Sequence, residues 1–165
     1  MSTAGGRSIG DRPGQIVFAL LVLACFAAFF VTQRLKHTPT AVQSFKLTPF
    51  FSPTPTGHIK AERISFKLAK ADEVTVTIVT TGGDVVATLV RDLPVARYKP
   101  LSLRWNGRRG IAHRYTLSAG ANGRAIILPA TEGGLAPAGS YRVRVILRKQ
   151  ARTVESQRSF TLVGR

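Results

Sequence analysis

Cysteine is almost missing from this chain. Cys25 is the only one in 165 residues. No intrachain disulfide can form, and the residues beyond it supply neither a thiolate metal site nor a thiol nucleophile. Acidic residues are scarce as well: 8 Asp and Glu stand against 24 Lys and Arg, a formal net charge of +16. The one adjacent acidic pair, Asp72 and Glu73, would point to opposite faces of a strand, whereas glycoside hydrolysis needs carboxyl groups that face each other. His37, His58 and His113 stand in a predicted linker and predicted loops without metal-ligand spacing, and a zinc site needs several converging donors. Ser44, Ser52, Ser65 and Ser159 lack the Gly-x-Ser-x-Gly elbow of a nucleophile. The glycine pairs at 82–83 and 133–134 stand in turn contexts and open no helix, so they make no phosphate loop. These absences remove the usual equipment of an enzyme. The expectation is a non-enzymatic protein with no cofactor and no metal.

Charge is also absent from one long stretch. Residues 13–33 carry none, and within them IVFALLVLACFAAFFV (16–31) is sixteen apolar residues in a row. As a helix, 13–33 would extend roughly 32 Å at about 1.5 Å per residue, the thickness of a bilayer's hydrocarbon core. A helix also satisfies its own backbone groups in lipid. The expectation is an uncleaved transmembrane anchor over 13–33. A cleaved signal peptide and a lipoprotein signal are the competing readings. The run exceeds a usual signal core and lacks a clear A-x-A site, and six apolar residues follow Cys25 where a lipoprotein would turn polar. Arg7, Arg12 and Asp11 on one side nearly balance Arg34, Lys36 and Lys46 on the other under the positive-inside rule. An N-terminal anchor ahead of a β-rich domain is the usual signal-anchor layout. It predicts a short cytoplasmic tail (1–12), a plasma-membrane helix (13–33), a polar linker RLKHTPTA (34–41) and an extracytoplasmic domain (42–165). A cytoplasmic domain is the alternative.

Beyond the linker, period-two alternation dominates. RISFKL (63–68) puts Ile64, Phe66 and Leu68 on one face and Arg63, Ser65 and Lys67 on the other. EVTVTIV (73–79), VVATLV (85–90), LSLRW (101–105) and SYRVRVIL (140–147) repeat the pattern, and VQSFKLTPFF (42–51) and TVESQRSFTLV (153–163) read as the first and last strands. Alternation with frequent turns predicts an all-β fold, an antiparallel sandwich with one wet face per sheet. About seven strands in about 120 residues fit an immunoglobulin-like architecture. The stretch 111–134 has its own alternation (Tyr115, Leu117), an Asn-Gly turn at 122–123 and the apolar run AIILP. It predicts an extra β-hairpin inserted between two sandwich strands.

The only tryptophan, Trp105, ends an inward-facing alternation at LSLRW and precedes Asn106 and Gly107. It reads as a core plug beside a turn, with Gly107 supplying a conformation that side chains resist. Arg108 and Arg109 then become loop charges. Together with Arg97, Lys99, Arg114, Arg142, Arg144 and Arg148 they could form a basic patch for an anionic partner. The plain counterpart is that alternation alone puts them on solvated faces.

Several of these segments resemble the FlgD-type Ig-like domain found in the flagellar hook-capping protein and in many bacterial surface proteins. They are FFSPTPTGHIKAERISFKL, VTVTIVTTGGDVVATLV, LRWNGRRG and APAGSYRVRVIL, in an order and spacing that cover about residues 45–163. The resemblance implies that Trp105, Asn106 and Gly107 fill the family's Trp-Asp-Gly turn. It implies that Pro137, Gly139 and Tyr141 open a late strand. Asn106 replaces the family's Asp, acidic residues are missing from SPTPTGHIK, and 111–134 is longer than the family's connection. The functional expectation is a structural, scaffold or adhesion module in the bacterial cell envelope, held by one membrane span and meeting a protein partner. The alternative is a basic binding module for an anionic cell-wall polymer or lipid head groups. Nucleic acid is not expected, because Tyr98 and Tyr115 alone could interleave with the basic residues.

Overall fold

A computed structural model describes residues 12–36, 40–120 and 123–164. His37, Asn122 of the expected Asn-Gly turn and the expected tail up to residue 11 lie outside the described residues. The chain divides into two units, residues 1–39 and 40–165.

The first unit contains helix α1, Arg12–Lys36. Pro13 stands in its first turn, where a missing N–H costs no intrahelical bond. Within it, Gly14–Thr32 is apolar and has no buried residue. Its 19 residues extend about 28 Å at about 1.5 Å each. Among the described residues this is the one helix long and apolar enough to cross a membrane. Thr32, the polar residue at its end, turns its Oγ1–H back on the carbonyls of Ala28 and Phe29 at 2.6 and 2.9 Å, so the hydroxyl is satisfied by the helix itself.

The second unit is mostly β. Its strands are β1 (Val42–Leu47), β2 (Phe50–Phe51), β3 (Glu62–Leu68), β4 (Asp72–Thr80), β5 (Val85–Val95) and β6 (Pro100–Trp105), followed by β7 (Gly110–Ile111), β8 (Arg114–Ala119), β9 (Ala125–Ala130), β10 (Gly139–Leu147), β11 (Arg152–Glu155) and β12 (Phe160–Leu162). Five strands form one sheet in the order β1-β3-β6-β9-β8. Seven form the other, β2-β12-β10-β4-β5-β7, with β11 also paired to β10. The inward residues read from alternation are buried: Ile64, Phe66 and Leu68 of β3, Val74, Val76 and Ile78 of β4, Leu101, Leu103 and Trp105 of β6, and Tyr141, Val143 and Val145 of β10. Residues of both sheets enter one hydrophobic cluster.

The expected antiparallel sandwich needs correction, because both sheets are mixed. The pairs β2–β12, β5–β7 and β6–β9 run parallel. Two expected strands are also divided. VQSFKLTPFF leaves the first sheet after Leu47 and joins the second at Phe50, with Pro49 at the crossing, where its missing N–H would interrupt a ladder. TVESQRSFTLV breaks into β11 and β12. At the break, Ser156 is buried, its hydroxyl donating to the Arg158 carbonyl at 2.8 Å and accepting the Val143 N–H at 3.1 Å. The expected linker 34–41 is shorter at both ends. The helix runs on to Lys36, and Ala41 is buried, its carbonyl accepting the Ala69 N–H at 3.0 Å. Within 111–134, β8 and β9 pair antiparallel from Arg114↔Ala130 to Ala119↔Ala125.

Candidate functional site

Trp105 ends β6 with its ring buried between the sheets. The rings of Phe51, Tyr141 and Phe160 surround it at centroid distances of 5.6, 5.7 and 5.9 Å, all edge-on, the arrangement that aromatic quadrupoles favour. Its indole Nε1–H donates to the Arg108 carbonyl at 2.7 Å, so the buried polar atom is satisfied. The turn that makes this possible is built by the next two residues. Asn106 Oδ1 accepts from the Arg108 N–H at 3.1 Å and from the Thr131 hydroxyl at 3.2 Å, tying the turn to a second loop. Gly107 takes a φ of +81°, and a Cβ there would meet Leu162 Cδ1 at 3.1 Å. The Gly107 carbonyl then accepts the Ala136 N–H at 2.8 Å. Pro137, Gly139 and Tyr141 act from the other side. Tyr141 O–H donates to the Pro137 carbonyl at 2.6 Å, and Gly139 begins the ladder with Leu162. Burial raises the Tyr141 hydroxyl above its ordinary range, against the opposing charge of Arg109. All six residues singled out for the turn and core thus meet at one end of the unit. What they do is hold the sheets together.

The basic residues do not meet in one patch. Strand direction separates them. Arg108 and Arg109 follow β6, at the end with Trp105, where Arg108 Nη1 donates to the Gly133 carbonyl at 3.4 Å. Arg114 opens β8 at the margin of the five-stranded sheet. Arg142 and Arg144 lie half-buried along β10. Arg142 Nε has no hydrogen-bond partner among the described residues, while Arg144 pairs with Glu155 at 2.8 Å and donates to the Gly83 carbonyl at 3.2 Å. Arg97, Lys99 and Arg148 stand at the opposite end, in the β5–β6 loop and just past β10. Arg148 reaches Glu73 at 3.3 Å and Asp92 at 3.7 Å.

Two carboxyl groups, those of Glu62 and Asp72, are buried. Glu62 shares the inward parity of Ile64 and Phe66 and has no exposed surface. Its Oε1 accepts the Thr48 N–H at 2.7 Å, just where the chain crosses between sheets, and its Oε2 is buried without a partner. Burial pushes its pKa up to about 8, against the lowering effect of the Thr48 hydrogen bond. Asp72 shows the reverse balance. Burial alone would raise it, but N–H groups of Lys149, Gln150 and Glu73 together with the Gln150 side-chain amide hold it below the ordinary carboxylate range. Parity could have flagged Glu62. Parity with Val74 and Val76 also turns Asp72 inward, but its partners Lys149 and Gln150 are remote in sequence.

His58 lines a shallow cleft with Thr48, Lys60, Arg63 and Arg104, and among the described residues no group of three His, Cys, Asp or Glu converges to hold a metal. A larger groove of about 610 Å³ runs between β1 and β11, lined by Val42, Phe45, Leu47 and Val154. Compared with protein-family models, with curated proteins and with solved structures, the chain matches none.

Proposed function

We propose that the chain is an anchored, non-enzymatic β module. In this reading α1 lies in the plasma membrane of a bacterial cell. Residues 40–165 are displayed outside the cytoplasm as an immunoglobulin-like sandwich of the FlgD type, a structural, scaffold or adhesion unit of the envelope. The observation that carries the reading is the closed cluster around Trp105. Its aromatic rings, its turn and the Tyr141–Pro137 bond use up the most conspicuous side chains of the domain in holding two sheets together. A Tyr hydroxyl bonded to a backbone carbonyl a few residues upstream is also a feature of immunoglobulin-like folds. The β8–β9 pair is read as the inserted hairpin. It meets β6 through the single register pair Leu103↔Ile127, and Tyr115 and Leu117 stay exposed on β8. As an outer strand, β8 offers unpaired backbone groups to a protein partner that adds a strand.

The test is protease treatment of intact spheroplasts against lysed cells, with alkaline extraction of the membranes. The expected outcome is digestion of the β unit in intact spheroplasts and retention of the chain in the membrane pellet after extraction. Protection until lysis would place the unit in the cytoplasm, and release by alkali would remove the anchor.

A further inference from the structure

The end of the β unit where the chain enters it gathers three loops. Ala41, the second residue of the unit, accepts the Ala69 N–H. The Ala69 carbonyl in turn accepts Arg97 Nε–H at 3.1 Å, and the Leu68 carbonyl accepts the Tyr98 N–H at 2.9 Å. Asp72, next along the same loop, holds the Lys149 and Gln150 N–H groups of the β10–β11 turn at 2.8 and 3.2 Å. The acids of this end are all engaged: Asp72 by those N–H groups, Glu73 by Arg148 and Lys149, and Asp92 by Arg148. Lys70, Arg97 and Lys99 have no carboxylate partner among the described residues, and all three are exposed.

Between Arg97 and Lys99 an aromatic ring is set out in solvent. Tyr98 is 52% exposed and adopts a φ of +59°, a conformation that costs a bulky residue energy unless its surroundings impose it. Here the Tyr98 N–H is held by the Leu68 carbonyl. The Arg97 guanidinium lies 4.5 Å from the ring centroid and also donates to the Tyr98 hydroxyl at 2.9 Å. An exposed tyrosine flanked by unpaired cations has the chemistry of a membrane interface, where an amphipathic ring sits among head groups and Lys and Arg meet their phosphates. In sequence, only residues 37–39 separate Lys36 of α1 from Thr40, where the β unit begins. A chain of three residues spans at most about 11 Å, at about 3.6 Å per residue when fully extended.

We propose that Lys70, Arg97, Tyr98 and Lys99 dock on anionic lipid head groups of the membrane that holds α1. The inference rests on the anchored reading above and adds the lipid class and the surface that meets it.

The experiment is backbone amide exchange of the full chain in phosphatidylcholine nanodiscs and in nanodiscs that also contain phosphatidylglycerol. Exchange at 96–99 should slow in the anionic discs and recover in high salt, as screening requires. Lys70→Gln, Arg97→Gln and Lys99→Gln should each return about fivefold of the slowing, the equivalent of about 1 kcal/mol per surface cation on anionic lipid. Residues 106–109 at the far end should be unaffected. Equal exchange in the two lipids, or equal slowing by soluble dextran sulfate with lipid-only discs inert, overturns the proposal. Should a substitution disturb its loop, the lipid and salt comparisons on the unaltered chain decide alone. Amide exchange in α1 separates the two readings. Protected α1 amides with indifferent loops sink only the head-group contact, whereas unprotected α1 amides remove the anchor and both readings with it.

Discussion

Glu62→Gln is the substitution with the largest calculable consequence. In the folded chain the Glu62 carboxyl keeps its proton up to about pH 8, while its ordinary pKa is 4.5. Between those values the folded state binds one more proton than the unfolded state. Stability from this group is therefore complete below pH 4.5 and is lost as pH rises toward 8 and through it. At about 1.36 kcal/mol per pH unit the interval amounts to at most about 5 kcal/mol, a large share of the roughly 5–15 kcal/mol that holds a domain folded. Trp105 provides the assay. It is the only tryptophan and is buried, so its emission in detergent-solubilised chain follows urea unfolding of the β unit. The urea midpoint of the unaltered chain should fall steadily from pH 5 to pH 8. The variant's glutamine can still accept the Thr48 N–H but cannot ionise, so this component of the slope should vanish. Its extra buried amide hydrogens cost about 1–3 kcal/mol at every pH, which moves the whole curve without tilting it. The slope is thus the diagnostic quantity. Parallel curves for the two chains over this range would show that Glu62 is not held protonated, and the account of the sheet crossing at Thr48 would fail with it.

Asp72 should act at the other end of the scale. Its carboxylate is held below the ordinary range, so its stability is present above about pH 4 and lost as pH falls further. Asp72→Ala should remove about 2–3 kcal/mol at neutral pH, because several N–H groups of the β10–β11 turn lose their acceptor, and should flatten the acid limb of a urea-midpoint profile. Gly107→Ala combines a φ of +81° with a contact at 3.1 Å and should cost about 1–3 kcal/mol; an unchanged thermal midpoint would count against the turn geometry. Tyr141→Phe keeps the ring against Trp105 but leaves the Pro137 carbonyl without its donor. About 1 kcal/mol should be lost in urea unfolding, and a neutral result would deny that bond a structural role.

Alternation made the inward faces of β3, β4, β6 and β10 legible, because a half-buried strand has little freedom in which side it turns to the core. Trp105 was legible for the same reason, as the last inward residue of its run. The parallel pairings were not, since a period of two says which face a residue occupies and nothing about the neighbour's direction. The split of VQSFKLTPFF was hidden by hydrophobicity on both sides of the break: Leu47 and Phe51 both face the core, but from different sheets. Glu62 was obscured by its charge. Parity assigns it inward, and the conflict resolves once burial keeps it neutral.

The basic residues show where reading along the chain stops being reading in space. Arg97 and Lys99 are only about ten residues from Arg108 and Arg109 in sequence, yet β6 lies between them, and its six residues carry the chain about 20 Å at about 3.3 Å each. Segments that look like one basic cluster are delivered to opposite ends of the unit. The converse holds for Ala41, Ala69, Arg97 and Lys149, which are far apart in sequence and are brought to one end because β1, β4, β6 and β11 start where β3, β5 and β10 stop. A charge count can state how much positive potential the chain carries. Only strand direction decides which end of the fold presents it.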